Sequence, residues 1–108
     1  MASNLDFVEL GAEQIKGAGA IRYAKMFGEF MIYCNNKPIF LICDNTAFVK
    51  ILPQTTEILG ENAEQGLPYP SAKPHYIVDI DNQDLLVDLA KFLDKITPLR
   101  RVAGEDKR

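Results

Sequence analysis

A small α+β domain is the fold class that the sequence predicts, and three observations carry that expectation. Residues 21–51 are rich in β-branched and aromatic side chains and are cut by two short polar breaks, Asn35-Asn36 and Asp44-Asn45. Both breaks use residues that tolerate positive φ, as the two central positions of a type I′ hairpin turn require. The segments at either end of the chain instead repeat their apolar residues at helical spacing. The expected architecture is a two-layer arrangement: an antiparallel sheet of about five strands, mostly a meander, packed with an N-terminal and a C-terminal helix.

Length and composition set the frame. One domain is expected over all 108 residues, ordered from about 4 to 97, with a charged tail over 98–108. The chain is 47% hydrophobic and 25% charged, ordinary for a globular protein, and its net charge is −3. No apolar run reaches the ~20 residues of a membrane span, and no secretory signal pattern opens the chain, so a cytoplasmic protein without membrane contact is expected. An acidic balance, scattered basic residues and no helix-turn-helix pattern argue against specific duplex DNA binding by the chain alone.

The elements follow in order. Ser3 or Asn4 can cap a helix from about Leu5 to Lys16, with Leu5, Val8, Ala12 and Ile15 on one face and Gly17 as its stop. Ile21–Met26 reads as an edge strand. The meander follows as Glu29–Cys34, Lys37–Cys43 and Thr46–Ile51. With tight turns and no irregularity, Ile32 faces Ile39, Met31 faces Phe40, Phe30 faces Leu41, and Leu41 faces Phe48. Alternation then puts Met31, Tyr33, Phe40, Ile42, Ala47 and Val49 on the core face. The opposite face carries Phe30, Ile32, Leu41 and Phe48 at an apolar centre with a polar rim. Its pattern suggests cover by a second copy or by a helix, and these four residues are the expected homodimer face.

Pro53 ends the meander, and Thr55 or Thr56 can cap a short helix through Ile58-Leu59. Residues 60–74 form a proline-rich connection, long enough to be functional. Tyr76–Ile80 reads as a fifth strand, expected beside Ile21–Met26. Asp81–Asp84 opens the last helix, which runs to about Ile96 with Leu85, Leu86, Leu89, Phe92, Leu93 and Ile96 as its apolar stripe.

The residues offer little chemistry. One histidine, His75, and two cysteines at opposite ends of a predicted hairpin cannot make a zinc site, a disulfide or an oriented Cys–His pair. Neither catalytic nor metal-binding residues nor a cofactor are expected. Gly17 and Gly19 precede a strand rather than open a helix, so they do not form a phosphate loop. Asp79 and Asp81 read as capping groups, and Lys91, Lys95, Arg100 and Arg101 as cations that suit a helix C-terminus.

One surface stands out. Gly28 permits a bend that displays Lys25, Met26 and Phe27 at a corner, and Pro74 holds Lys73 extended so that His75 and Tyr76 open the fifth strand. These seven residues, Lys25, Met26, Phe27, Gly28, Lys73, His75 and Tyr76, form the expected interaction surface, provided the two segments meet.

The order of motifs also resembles a known family. Gly17-x-Gly19-x-x-Arg22-x-x-Lys25-Met26-Phe27-Gly28, followed by Met31-Ile-Tyr33, Phe40-Leu-Ile42, Phe48-Val-Lys50 and Lys73-Pro-His-Tyr76, is similar to the N-terminal domain of the TfoX/Sxy competence regulators. The resemblance covers about Leu5 to Ile96. It implies an α+β domain that is cytoplasmic and not an enzyme, in a family associated with turning on DNA-uptake genes. Full-length members carry a second, C-terminal helical domain, and this chain resembles the stand-alone members. The implied role is regulation through protein–protein contacts with a partner yet to be identified. The alternative is a small-molecule-binding domain or enzyme with a pocket near residues 69–76.

Overall fold

The computed structural model describes residues 5–26 and 29–97. It is an α+β fold: six antiparallel strands in one open sheet, with helices before, within and after them. The strands are β1 (Ile21–Met26), β2 (Glu29–Cys34), β3 (Lys37–Cys43), β4 (Thr46–Lys50), β5 (Gln65–Gly66) and β6 (His75–Val78). The helices are α1 (Leu5–Gln14), α2 (Pro53–Leu59) and α3 (Gln83–Ile96), and a tight 3-10 turn spans Lys16–Ala18.

The two hairpin turns form as their residues dictate. Asn35, Asn36, Asp44 and Asn45 all take positive φ, between 53° and 66°, the left-handed pair of a type I′ turn. Strands β1 to β4 therefore run as a meander. The strand order is β1-β2-β3-β4-β6-β5, so β6 lies beside β4, with Val49 opposite Tyr76 and Ala47 opposite Val78. This corrects the expectation that the returning strand joins Ile21–Met26. Three strands separate the two. The sheet also gains a sixth strand, the two-residue β5, which the sequence hides inside the proline-rich connection.

The register of β2 against β3 shifts partway along. Near the turn, Cys34 faces Lys37 and Tyr33 faces Pro38, as expected; beyond it, Ile32 faces Phe40, Met31 faces Leu41 and Phe30 faces Ile42. Ile39 is the extra residue of a β-bulge. One added residue exchanges the faces of everything beyond it. Phe30 and Ile32 consequently lie with Ile42, Ala47 and Val78 on the helix-covered face, while Met31 lies with Leu41, Phe48 and Ile77 on the other. The expected core face was right for Phe40, Ile42, Ala47 and Val49 and wrong for Met31 and Tyr33.

The core sits between the sheet and the helices. Val8 and Ile15 from the N-terminal segment and Leu86, Leu89, Ala90 and Leu93 from α3 close over Ile32, Cys34, Phe40, Ile42 and Val49. Helix α1 comes close because position 11 has no side chain. A Cβ on Gly11 would meet the Cδ1 of Ile80 at 2.8 Å and that of Ile32 at 3.1 Å. Leu5, placed on the apolar stripe by its spacing, is exposed.

The helix ends use local chemistry. Pro53 begins α2 rather than merely ending β4, as suits a residue with fixed φ and no N–H to satisfy. Thr55 is buried; its hydroxyl accepts from the Leu52 amide at 2.8 Å and lies 2.8 Å from the Lys50 carbonyl, to which it donates. In α3 the Asn82 side chain accepts from the Leu85 amide. Lys37 on β3 reaches the end of α3, donating to the Asp94 carbonyl at 2.6 Å and pairing with its carboxylate at 3.2 Å. None of the described helices is long and apolar enough to cross a membrane.

Candidate functional site

Among the described residues, the two segments of the corner surface expected from the sequence do not meet. Lys25 is exposed on β1, at one edge of the sheet, and Met26 ends that strand opposite Glu29. His75 and Tyr76 belong to β6, beyond β4. Phe27 and Gly28 lie outside the described residues, as do Arg100, Arg101 and the whole tail over 98–108. Tyr76 is a core residue, 2% exposed, and its hydroxyl shares a 2.7 Å hydrogen bond with that of Thr56 on α2. That bond holds α2 against the sheet and leaves no phenol at a surface. Lys73 is exposed, and its carbonyl receives the His75 ring nitrogen Nδ1 at 2.8 Å.

His75 instead belongs to the face away from the helices. A row of residues runs across that face: Ala24, Met31, Leu41, Phe48 and Ile77, each opposite the next on adjacent strands. The row beside it holds Lys50, His75 and Gly66 on β4, β6 and β5. The imidazole stands edge-on to the Phe48 ring, with 6.4 Å between centroids. Gly66 lets β5 come in close, since a Cβ there would sit 2.9 Å from the Ile77 Cδ1 and 3.5 Å from the Phe48 ring. Phe48 is therefore buried without a helix above it.

Along these rows runs a groove of about 260 Å³. Its floor is Met31, Leu41 and Phe48, and its flank is Lys50 and His75. Pro38 and Ile39 at the bulge, Leu52, and Leu93, Ile96 and the cap Thr97 of α3 complete its lining, so the groove extends from the open face to the C-terminal end of α3. Among the described residues, no acidic side chain lines it. Leu41 and Phe48, half of the expected dimer face, are thus on this surface. Phe30 and Ile32, the other half, are buried beneath the helices because of the bulge.

Both thiols are held above their ordinary value. Burial pushes Cys34 up, with Asp94 adding to it against the lowering influence of Lys37. Burial also raises Cys43, and the Glu29 carboxylate 3.7 Å from its sulfur adds to the effect. A thiol held above its ordinary value is a poor nucleophile. Both cysteines are free. Asp79 accepts from the Asp81 amide at 2.9 Å, a turn ahead of α3, whose cap is Asn82 rather than the expected Asp79 or Asp81. No cluster of His, Cys, Asp and Glu able to hold a metal ion occurs among the described residues.

What the sequence missed was the pairing of Lys50 with His75. Each stands in an unremarkable strand end, and only the choice of β4 as the neighbour of β6 sets them side by side. Lys50, Ile77 and Gly66 carried no signal that would single them out as parts of a groove.

No family model matches the chain. Over 94 residues, 87% of this chain and 77% of the relative, it is 30% identical to a protein of Spirochaeta aurantia described as an uncharacterized 12.7 kDa protein in the trpE 5′ region. At that identity and coverage the chain belongs to the family of the Spirochaeta aurantia protein.

Proposed function

We propose that the chain is a non-enzymatic interaction domain, comparable to the N-terminal domain of the TfoX-type competence regulators, that works in the cytoplasm through the helix-free face of its sheet. The row Met31, Leu41 and Phe48, with a groove along it, is the observation that carries this reading. Apolar surface gathered on one side of a sheet and rimmed by polar residues is what a protein contact uses. A second copy of the chain is the first partner to test, with Leu41 rather than Ile32 at the centre of the contact. Light scattering of the purified protein at micromolar concentration should give a dimer mass. Leu41→Asp, on a half-buried position, should return it to a monomer with unchanged circular dichroism. A wild-type monomer across that concentration range ends the homodimer reading.

The same groove supports a second reading, a small-molecule-binding domain. What favours it is the placement of Lys50 and His75 beside a partly sheltered apolar floor. Ligand clefts commonly combine an apolar lining with a few placed polar groups.

A further inference from the structure

We infer that the groove on the helix-free face binds a small carboxylate with an apolar body, such as an arylalkanoate or a medium-chain acid. This rests on the second reading above and names its ligand class. The lining is apolar along the floor, Met31, Leu41 and Phe48, and basic along one flank, Lys50 and His75. Those two side chains are direct cross-strand neighbours on one face, so their nitrogens can converge on one anion. Lys50 forms no ion pair among the described residues.

The imidazole is held in place. A carbonyl can only accept, so the 2.8 Å contact with Lys73 assigns a proton to Nδ1; Nε2 is left to meet a ligand, and it donates to a carboxylate when it takes up a second proton as imidazolium. The edge-on contact with Phe48 fixes the plane of the ring. The Lys50 ammonium at the flank, with no carboxylate among the described lining residues, selects against an amine and favours an acid over a neutral molecule. The carbonyl end of α3, which would oppose an anion, is already met by the Lys37 ammonium through Asp94. One ammonium and one imidazole suit a monoanion. A cavity of about 260 Å³ lies just below the usual range of ligand clefts and suits a small body of about a dozen non-hydrogen atoms.

The test is a methyl NMR titration of the full chain with 4-phenylbutyrate, set against 4-phenylbutanol and 4-phenylbutylamine as probes of the same shape. The acid should shift the Met31 and Leu41 methyl signals saturably, and more tightly than the alcohol or the amine. Lys50→Gln and His75→Gln should each weaken the acid by roughly three- to tenfold, the size of a partly exposed charge-assisted bond, with an unchanged melting temperature for Lys50→Gln. Equal binding of acid and alcohol, or acid binding indifferent to Lys50→Gln, overturns the proposal and leaves an unselective apolar patch. Absence of saturable shifts at both methyls also overturns it. If the protein is then found as a dimer that Leu41→Asp dissociates, the interaction-domain reading stands without the ligand.

Discussion

The two faces of the sheet are built from similar residues and have different fates. On one, Ile32, Cys34, Phe40, Ile42 and Val49 vanish beneath α1 and α3. On the other, Met31 and Leu41 stay half-exposed, and Phe48 is buried only because the glycine in β5 and the His75 ring approach it. Side-chain chemistry does not separate the two sets, since both are aliphatic and aromatic. The side on which the amphipathic helices close does. The uncovered face keeps apolar surface and a groove that a partner or ligand can reach, while the covered face supplies stability.

The largest effect that could break this contrast is a truncation on each side. Ile32 is 1% exposed and contacts the close approach of α1, so Ile32→Ala should cost roughly 2–5 kcal/mol in denaturant unfolding. Leu41→Ala, half-exposed on the other face, should cost distinctly less, below about 2 kcal/mol. Equal losses at both positions would falsify the division into a structural and a free face.

A smaller effect concerns the clamp between the sheet and α3. Lys37→Met removes the bonds to the Asp94 carbonyl and carboxylate while keeping the apolar stem. The expected loss is about 1 kcal/mol, as for a partly buried charge-assisted hydrogen bond. Chemical denaturation at low and high salt checks it, and the difference between Lys37→Met and wild type should shrink as salt rises.

The smallest effect is a pH dependence on the covered face. The thiol of Cys34 is raised chiefly by burial, then by Asp94. The folded chain therefore binds this proton more tightly than the unfolded chain does. The corresponding stability is fully present below the ordinary thiol value of about 8.5 and is lost as pH rises through the folded value. Wild type should accordingly lose stability more steeply than Cys34→Ala between neutral and alkaline pH, and parallel curves would show that the thiol makes no such contribution.

Much of the fold is legible in the residues because its signals are local. Asn35-Asn36 and Asp44-Asn45 specify their turns through the positive φ they accept. The stripe of Leu86, Leu89 and Leu93 specifies the buried side of α3. The candidate site is much less legible. Leu41, Phe48 and His75 were singled out, but beside the wrong neighbours: Phe30 and Ile32 in one case, Lys25 and Met26 in the other.

What the sequence by itself determined, then, is the inventory: four strands of a meander, the helices around them, an α+β class and a chain with one histidine and two cysteines. Each depends on spacing within a few residues, where backbone preference and periodicity act directly. Tertiary structure alone decided two things. One is the bulge at Ile39, which keeps both Ile39 and Phe40 in the core at the cost of one unpaired ladder position, and so reverses the face of β2 relative to β3. The other is the pairing of β6 with β4, which buries Tyr76 against Thr56 and sets His75 beside Lys50. Neither leaves a mark in any local stretch, because each is a choice among packings that satisfy the same residues, settled by which side of the sheet the helices can close.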